Sequence, residues 1–362
     1  MKLTKLFPLI ALLAAGAGQA QVQNRIEIPD ISGYKTLQCD FHMHSVFSDG
    51  VVWPTVRVDE AWREGLDAIA LTDHLEYHPH SKDIVATSHN RSYEIAKPAA
   101  DNRGLLLIRA SEITRSMPPG HFNALFLSDC DALAKDDWRA SFAEAKKQNA
   151  FILWNHPGWD AQQPDTTLWW PEHTEIYNNG WMNGIEVVND DSYYPEAFQW
   201  ALDKKLTMFG NSDVHQPMQS VVDFAKGGHR ATTLVFAKER SVQAIREALD
   251  NRRTAVFYKQ FLIGEEQYLR PIFENSVEIT DIRQGKNQVT VYIHNKSGLT
   301  FYLKKTAHNK EVVYFREYEI APHSRQSITI RFPENSRNTM NFEVTNLLVK
   351  PGKGLECSYN LY

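Results

Sequence analysis

Between Leu37 and Tyr258, short apolar runs alternate with helical stretches about seven times, and run after run ends in a histidine or a carboxylate. Strands that alternate with helices pair in parallel, and a repeated alternation of this kind argues for a barrel with its helices outside. In such a barrel the C-terminal ends of the strands, where reactive groups sit, open on one mouth. Residues far apart in the chain that share only a place at a strand end are thereby brought together.

The first run, Leu37 to Gly50, sets the pattern. Side chains two apart on a strand point the same way, so His42 and His44 can grip one ion. The turn Ser48-Asp49-Gly50 then returns a carboxylate beside them. A helix from Pro54 through Leu66 follows, then a buried strand that delivers Asp73 and His74. Residues 75–90 read as an exposed loop, and its His78, His80 and His89 first as solvated residues. A helix from about Ser92 to Asn102 leads to a strand ending in Glu112, and a loop carrying Arg115 leads to a strand that opens on His121 and doubles back. After an amphipathic helix from Asp136 to Asn149, a strand from Phe151 ends at His156.

Residues 157–183 read as a long loop rich in Trp, whose Trp159 and Trp169 either line a substrate cleft or fold the loop onto itself. Beyond it come a strand over 184–189, a helix from Pro195 to Lys205 and a strand leading to Asp213 and His215. A strand over 232–237, a helix over 241–251 and a short strand over 254–258 complete the alternation. From about Glu265 the period changes to short alternating strands without a helix, about seven of them, which predicts a small β-sandwich. Its His294, His308 and His323 lack metal spacing. The expected division is 1–20 signal peptide, 21–36 N-terminal segment, 37–264 barrel and 265–362 β-sandwich.

Nine side chains thus converge: His42, His44, Asp49, His74, Glu112, His121, His156, Asp213 and His215. Carboxylates and neutral imidazoles gathered in one pocket need cations to offset them, and nine donors exceed what one ion needs. Two or three divalent ions are expected, with Glu112 as a bridge. Mixed imidazole and carboxylate donors without thiolate suit Mn, Zn or Fe alike.

His42-x-His44, Asp49, Thr72-Asp73-His74, Glu112, His121, Asn155-His156-Pro157 and Asp213-x-His215 together resemble the ordered motifs of the PHP (polymerase and histidinol phosphatase) superfamily. The resemblance spans about residues 37–260 and implies a distorted (β/α)7 barrel with a trinuclear site. By that analogy His42, His44, Glu112 and Asp213 hold one metal; Glu112, His121 and His156 a second; Asp49, His74 and His215 a third. The architecture further resembles secreted phosphodiesterases of the Sb-PDE type with a Marr-like tail.

What this implies is hydrolysis of a small-molecule phosphate ester, with Glu112 and Asp213 at the centre of the chemistry. Arg115 is then a candidate clamp on phosphoryl oxygens or simply a loop arginine, and His78 and His80 are candidates for protonating the leaving group. A phosphomonoesterase is the nearest alternative. A metal amidohydrolase, or a non-catalytic glycan-binding or scaffold protein, is a more distant one.

Residues 1–20 carry Lys2 and Lys5 ahead of an apolar run from Leu6 to Ala17, with Gly18 and Ala20 placed for cleavage. This predicts export to the periplasm or beyond, a mature chain from near Gln21 and no membrane anchor after processing. A net charge of −5 without charge blocks offers no footprint for duplex nucleic acid. Three cysteines, Cys39, Cys130 and Cys357, are too few to staple the fold, and the pairing of the last two is open from sequence.

Overall fold

The computed structural model describes residues 23–306, 312–333 and 339–360; the segment read as an export signal and His308 lie outside them. The first half runs β1 (Lys35–Asp40), α1 (Pro54–Arg63), β2 (Ala68–Leu71), α2 (Arg91–Arg103), β3 (Leu106–Ile113), β4 (Phe122–Leu125), α3 (Trp138–Lys147) and β5 (Phe151–Trp154). It continues through α4 (Pro171–Asn178), β6 (Gly184–Asn189), the two-residue β7 (Ser192–Tyr193), α5 (Pro195–Lys204) and β8 (Thr207–Asn211). Next come α6 (Met218–Val221), β9 (Thr232–Ala237), α7 (Val242–Asp250), β10 (Thr254–Tyr258) and β11 (Phe261–Gly264).

Strands β2, β4, β5, β6 and β8 are buried along their whole length, as strands must be with helices on one side and a packed barrel interior on the other. β1, β2 and β3 pair in parallel, as do β5, β6 and β8. β4 runs antiparallel between β3 and β5, so the strand opened by His121 does double back. Closure is made by the segments just past β8 and β1. Met43 bridges Val214 in parallel, with His44 N–H donating to the Val214 carbonyl (3.1 Å) and Asp213 N–H to that of His42 (2.9 Å). The backbone that closes the ring therefore carries four predicted ligands, which is how an α/β barrel of seven strands, distorted by one reversed strand, fixes its own site.

The long segment 157–183 is not a loop throughout. Pro171 opens α4 in the first turn, where its missing N–H costs nothing. The helix buries His173, whose ring lies 3.7 Å from that of Trp154. Its Nδ1 accepts from the Trp170 N–H (3.0 Å) and its Nε2–H donates to the Pro119 carbonyl (2.8 Å). Both bonds suit a neutral ring, and burial pushes its pKa down to about 4.

The unfolded chain binds a proton here near pH 6.5 and the native one only near 4, so native stability falls as pH drops through that window. Between pH 7 and 5 this amounts to about 2 kcal/mol. Guanidinium unfolding of wild type and His173→Gln at both pH values reads it: the variant is expected to lose less on acidification by that amount. Equal losses would show that His173 does not titrate as its contacts require.

A second helix stands where none was expected. α8 (Glu266–Ser276) buries Leu269, Ile272, Phe273 and Ser276 at helical spacing, but Pro271 interrupts the sequence pattern as a helix breaker would. Among the described residues seven strands follow it: β12 (Val277–Gln284), β13 (Gln288–Asn295), β14 (Phe301–Lys305), β15 (Glu317–Ile320), β16 (Arg325–Arg331), β17 (Thr339–Lys350) and β18 (Lys353–Asn360). β12, β13 and β16 form one sheet. The other contains β15, β14, β17 and β18, and β17 pairs in parallel with β11 through Leu262↔Leu347 and Ile263↔Leu348. The sandwich thus continues the barrel sheet, and Phe236, Phe257, Phe273, Phe301 and Phe342 share one core. All three cysteines are buried and free, which answers the open question of pairing.

Candidate metal centre

His42, His44 and Glu112 are fully buried at the mouth of the barrel, with His74, His121 and His156 nearly so. Glu112 is the hub. Its Oε2 lies 3.3 Å from Nε2 of both His42 and His44 and 3.0 Å from His74 Nδ1. Its Oε1 lies 2.8 Å from His121 Nδ1 and 3.8 Å from His156 Nε2. Asp213 Oδ1 stands 3.1 Å from His42 Nε2 and 3.0 Å from His44 Nε2, while its Oδ2 is 3.8 Å from His156 Nε2. Asp49 Oδ1 meets His74 Nε2 at 3.4 Å and His215 Nε2 at 3.2 Å.

The nine expected ligands fall into overlapping sets close enough to share ions: His42, His44 and Glu112; His42, His156 and Asp213; His74, Glu112 and His121; and His44, Asp49, His74 and His215. Glu112, His42, His44 and His74 each belong to two of these sets, and Glu112 turns one carboxylate oxygen to His42 and His44 and the other to His121.

The donor atoms fit cations better than they fit one another. Asp49 Oδ1, Glu112 Oε1, His121 Nδ1 and Asp213 Oδ1 are buried without a hydrogen-bond partner, despite acid and imidazole atoms close by. Buried polar atoms so placed are costly unless something charged satisfies them. Burial opposes charge on His42, yet Asp213, Glu186 and Glu112 outweigh it and hold its pKa well above the usual imidazole range. Burial likewise opposes charge on His74, whose pKa Glu112 and Asp49 nonetheless raise to about 10. His156, where burial dominates, falls to about 4. Against the same cost of burial, neighbouring imidazoles hold Glu112 and Asp213 well below the carboxylate range. Divalent ions would take the place of these protons.

Second partners aim the rings. Nδ1–H of His42 donates to Glu186 Oε1 (2.9 Å), and that of His215 to the Asp213 carbonyl (2.7 Å), so each Nε2 faces the cluster. His44 Nδ1 meets Ser48 Oγ at 3.3 Å, and Ser48 in turn donates to Asp73 Oδ1 (2.9 Å). Asp73 also accepts from the Ser45 N–H (2.7 Å). Gly50 is needed where it stands, since a Cβ there would come within 2.7 Å of the His44 carbonyl group and force the Asp49 turn off the strand.

Sequence reasoning passed over Glu186. It reads as one residue of the strand 184–189, yet it is fully buried and accepts from the His156 N–H (2.7 Å), Asn189 Nδ2 (2.9 Å) and Asn211 Nδ2 (2.9 Å) besides His42. The available signal was a lone carboxylate in an otherwise apolar strand, which burial makes expensive unless it holds something.

Arg115 does not reach the cluster with its guanidinium, which pairs with Glu76 (2.8 Å) and donates to the carbonyls of Lys135 and Asp136. His78 is not among the clustered donors: its ring faces that of His89, with centroids 5.3 Å apart, and hydrogen-bonds the His74 backbone. Trp159, 41% exposed, stands 5.7 Å from His121 and 5.3 Å from His156 by ring centroids, whereas Trp169 packs on Trp154, His173 and Trp200. Trp159 thus lines the cavity over the ligands, while Trp169 ties the segment to the barrel through Trp154 and Trp200.

No curated protein matches this chain. Residues 276–360 match the family DUF5001, an Ig-like domain. Over 94% of its length the chain is similar to the whole of a two-domain protein of known crystal structure from Bacteroides vulgatus containing a predicted PHP-like metal-dependent phosphoesterase, with 57% identity and a TM-score of 0.93. PsfC from Pseudomonas syringae is a remote likeness at 17% identity and a TM-score of 0.43, over 66% of this chain and 96% of that one. An amidohydrolase from Chromobacterium violaceum, with bound sulfate and no metal, is another at 16% and 0.38, over 60% and 97%. Neither of these two bears on the argument. The nine-donor mouth, the two-domain architecture and the full-length similarity lead to one conclusion: this chain belongs to the family of two-domain proteins that contain a PHP-like metal-dependent phosphoesterase.

Proposed function

We propose that the protein is an exported phosphodiesterase that works with two or three divalent ions, Mn, Zn or Fe, held by the nine donors. The observation that carries the choice of diester is the charge of the mouth. The cleft over the ligands, about 410 Å³, is lined by Asp49, Asp160, Asp190 and Asp213, and among its described lining residues there is neither Lys nor Arg. A phosphomonoester carries a charge of about −1.5 to −2 at neutral pH, like a phosphorylated side chain. A diester has one ionisable proton fewer and stays near −1. With the Arg115 guanidinium paired to Glu76, no lysine or arginine among the described residues lining the mouth offsets the second charge.

Bound divalent ions supply a hydroxide near neutral pH and charge stabilisation for phosphoryl oxygens. The chain itself orients and shields. Glu186 and Ser48 aim the imidazoles of His42 and His44 inward, and Glu112 and Asp213 hold negative charge between ring nitrogens. Trp159 offers an exposed ring face to an ester substituent. The apolar run at residues 6–17 supports export.

Rates on bis(p-nitrophenyl) phosphate and p-nitrophenyl phosphate test the assignment. A kcat/KM at least about tenfold higher for the diester is expected, the ratio that a 1.4 kcal/mol difference in transition-state stabilisation produces. Faster turnover of the monoester would reverse it.

A further inference from the structure

We infer that a second cavity, beneath residues 75–90, is a subsite for one ester substituent of the substrate and takes a flat, uncharged group such as an aryl ring or a nucleobase. The inference rests on the phosphodiester reading and adds the substituent's chemistry. The cavity holds about 530 Å³ and its walls include Phe47, Leu75, His78, Ile84, Val85 and His89, a size ordinary for a small-molecule site.

It shares two segments with the metal mouth. Ser48 lines this cavity and Asp49 the mouth; Leu75 lines this cavity and His74 the mouth. The two cavities are therefore walled by neighbouring residues of the same two segments. Tyr77, 53% exposed, stands beside this corner with its ring centroid 6.0 Å from that of His74.

The lining says what the cavity takes. It has no Lys or Arg among its described residues, so it offers no cation to a phosphoryl group. Its one carboxylate among the described lining residues, Asp131, already accepts from Ser88 Oγ and the His89 N–H, both at 2.6 Å. What remains is apolar side chains and the paired rings of His78 and His89, with hydroxyls of Ser81 and Thr87 at hand for a polar edge. Such walls favour the face of a ring.

Titration calorimetry on the metal-loaded protein with phenylphosphonate and with inorganic phosphate reads the subsite without turnover. Phenylphosphonate is expected to bind about tenfold more tightly, as burial of one ring implies. Ile84→Trp, which fills the cavity, is expected to abolish that gap while leaving phosphate affinity and metal content unchanged. Val85→Trp, at a position 81% exposed, is the second variant should the first misfold. Equal wild-type affinities, or a gap that survives in the folded variant, would overturn the subsite. A wild type that shows the gap yet hydrolyses no diester would overturn the phosphodiester reading instead.

Discussion

Glu112→Gln is expected to empty the centre of most of its metal and to lower kcat at least about a thousandfold. The carboxylate is wholly buried and its two oxygens lie between 2.8 and 3.8 Å from nitrogens of five histidines: His42, His44, His74, His121 and His156. An amide of the same shape keeps one acceptor but turns two N–H donors toward ring nitrogens, and it carries no charge to share between cations. At an effective dielectric constant near 20, a unit charge about 4 Å from another is worth ~4 kcal/mol, or about a thousandfold, and a divalent ion doubles it. Elemental analysis after dialysis, beside kcat on bis(p-nitrophenyl) phosphate, measures both effects. A variant that kept its full metal content would show that Glu112 does not join the ligand sets.

The nine donors were legible because metal chemistry selects side-chain types, and because a parallel barrel turns strand order into spatial convergence. His42 and Asp213 are far apart in sequence, yet each follows a strand, and strand ends share a mouth. What carries no local signature was not legible. The bridge between Met43 and Val214 that closes the barrel pairs the segments just past β1 and β8, and periodicity is silent on partners. α8 was hidden because Pro271 argues locally against a helix that burial of Leu269, Ile272 and Phe273 sustains. Arg115 illustrates the opposite error: nearness in sequence to Glu112 says nothing of direction, and Glu76 with two carbonyls turns the guanidinium away. Glu186 escaped because a carboxylate that only orients others has no spacing rule of its own.

Glu186 therefore yields the other large effect. Four donors end on its two oxygens: His42 Nδ1, the His156 backbone N–H, Asn189 Nδ2 and Asn211 Nδ2. Glu186→Gln keeps the shape but offers one acceptor oxygen in place of two and weakens the grip on the His42 proton, so metal affinity is expected to fall about 10- to 100-fold, the usual result of removing a partner of a ligating histidine. Glu186→Leu leaves three of these donors buried without an acceptor, since Asn189 Nδ2 keeps Asp213 Oδ2 at 3.3 Å; at about 1 kcal/mol each, the low end for such groups, it is expected to cost about 3 kcal/mol.

The two variants separate orientation from simple filling of space. Competition with a chelator reads the metal affinity of Glu186→Gln, and denaturant unfolding of the metal-free proteins reads the stability of both. If the glutamine variant bound metal as tightly as wild type, the hydrogen bond to His42 would not be what aims its Nε2. If the leucine variant matched wild-type stability, other acceptors would have taken up the three donors.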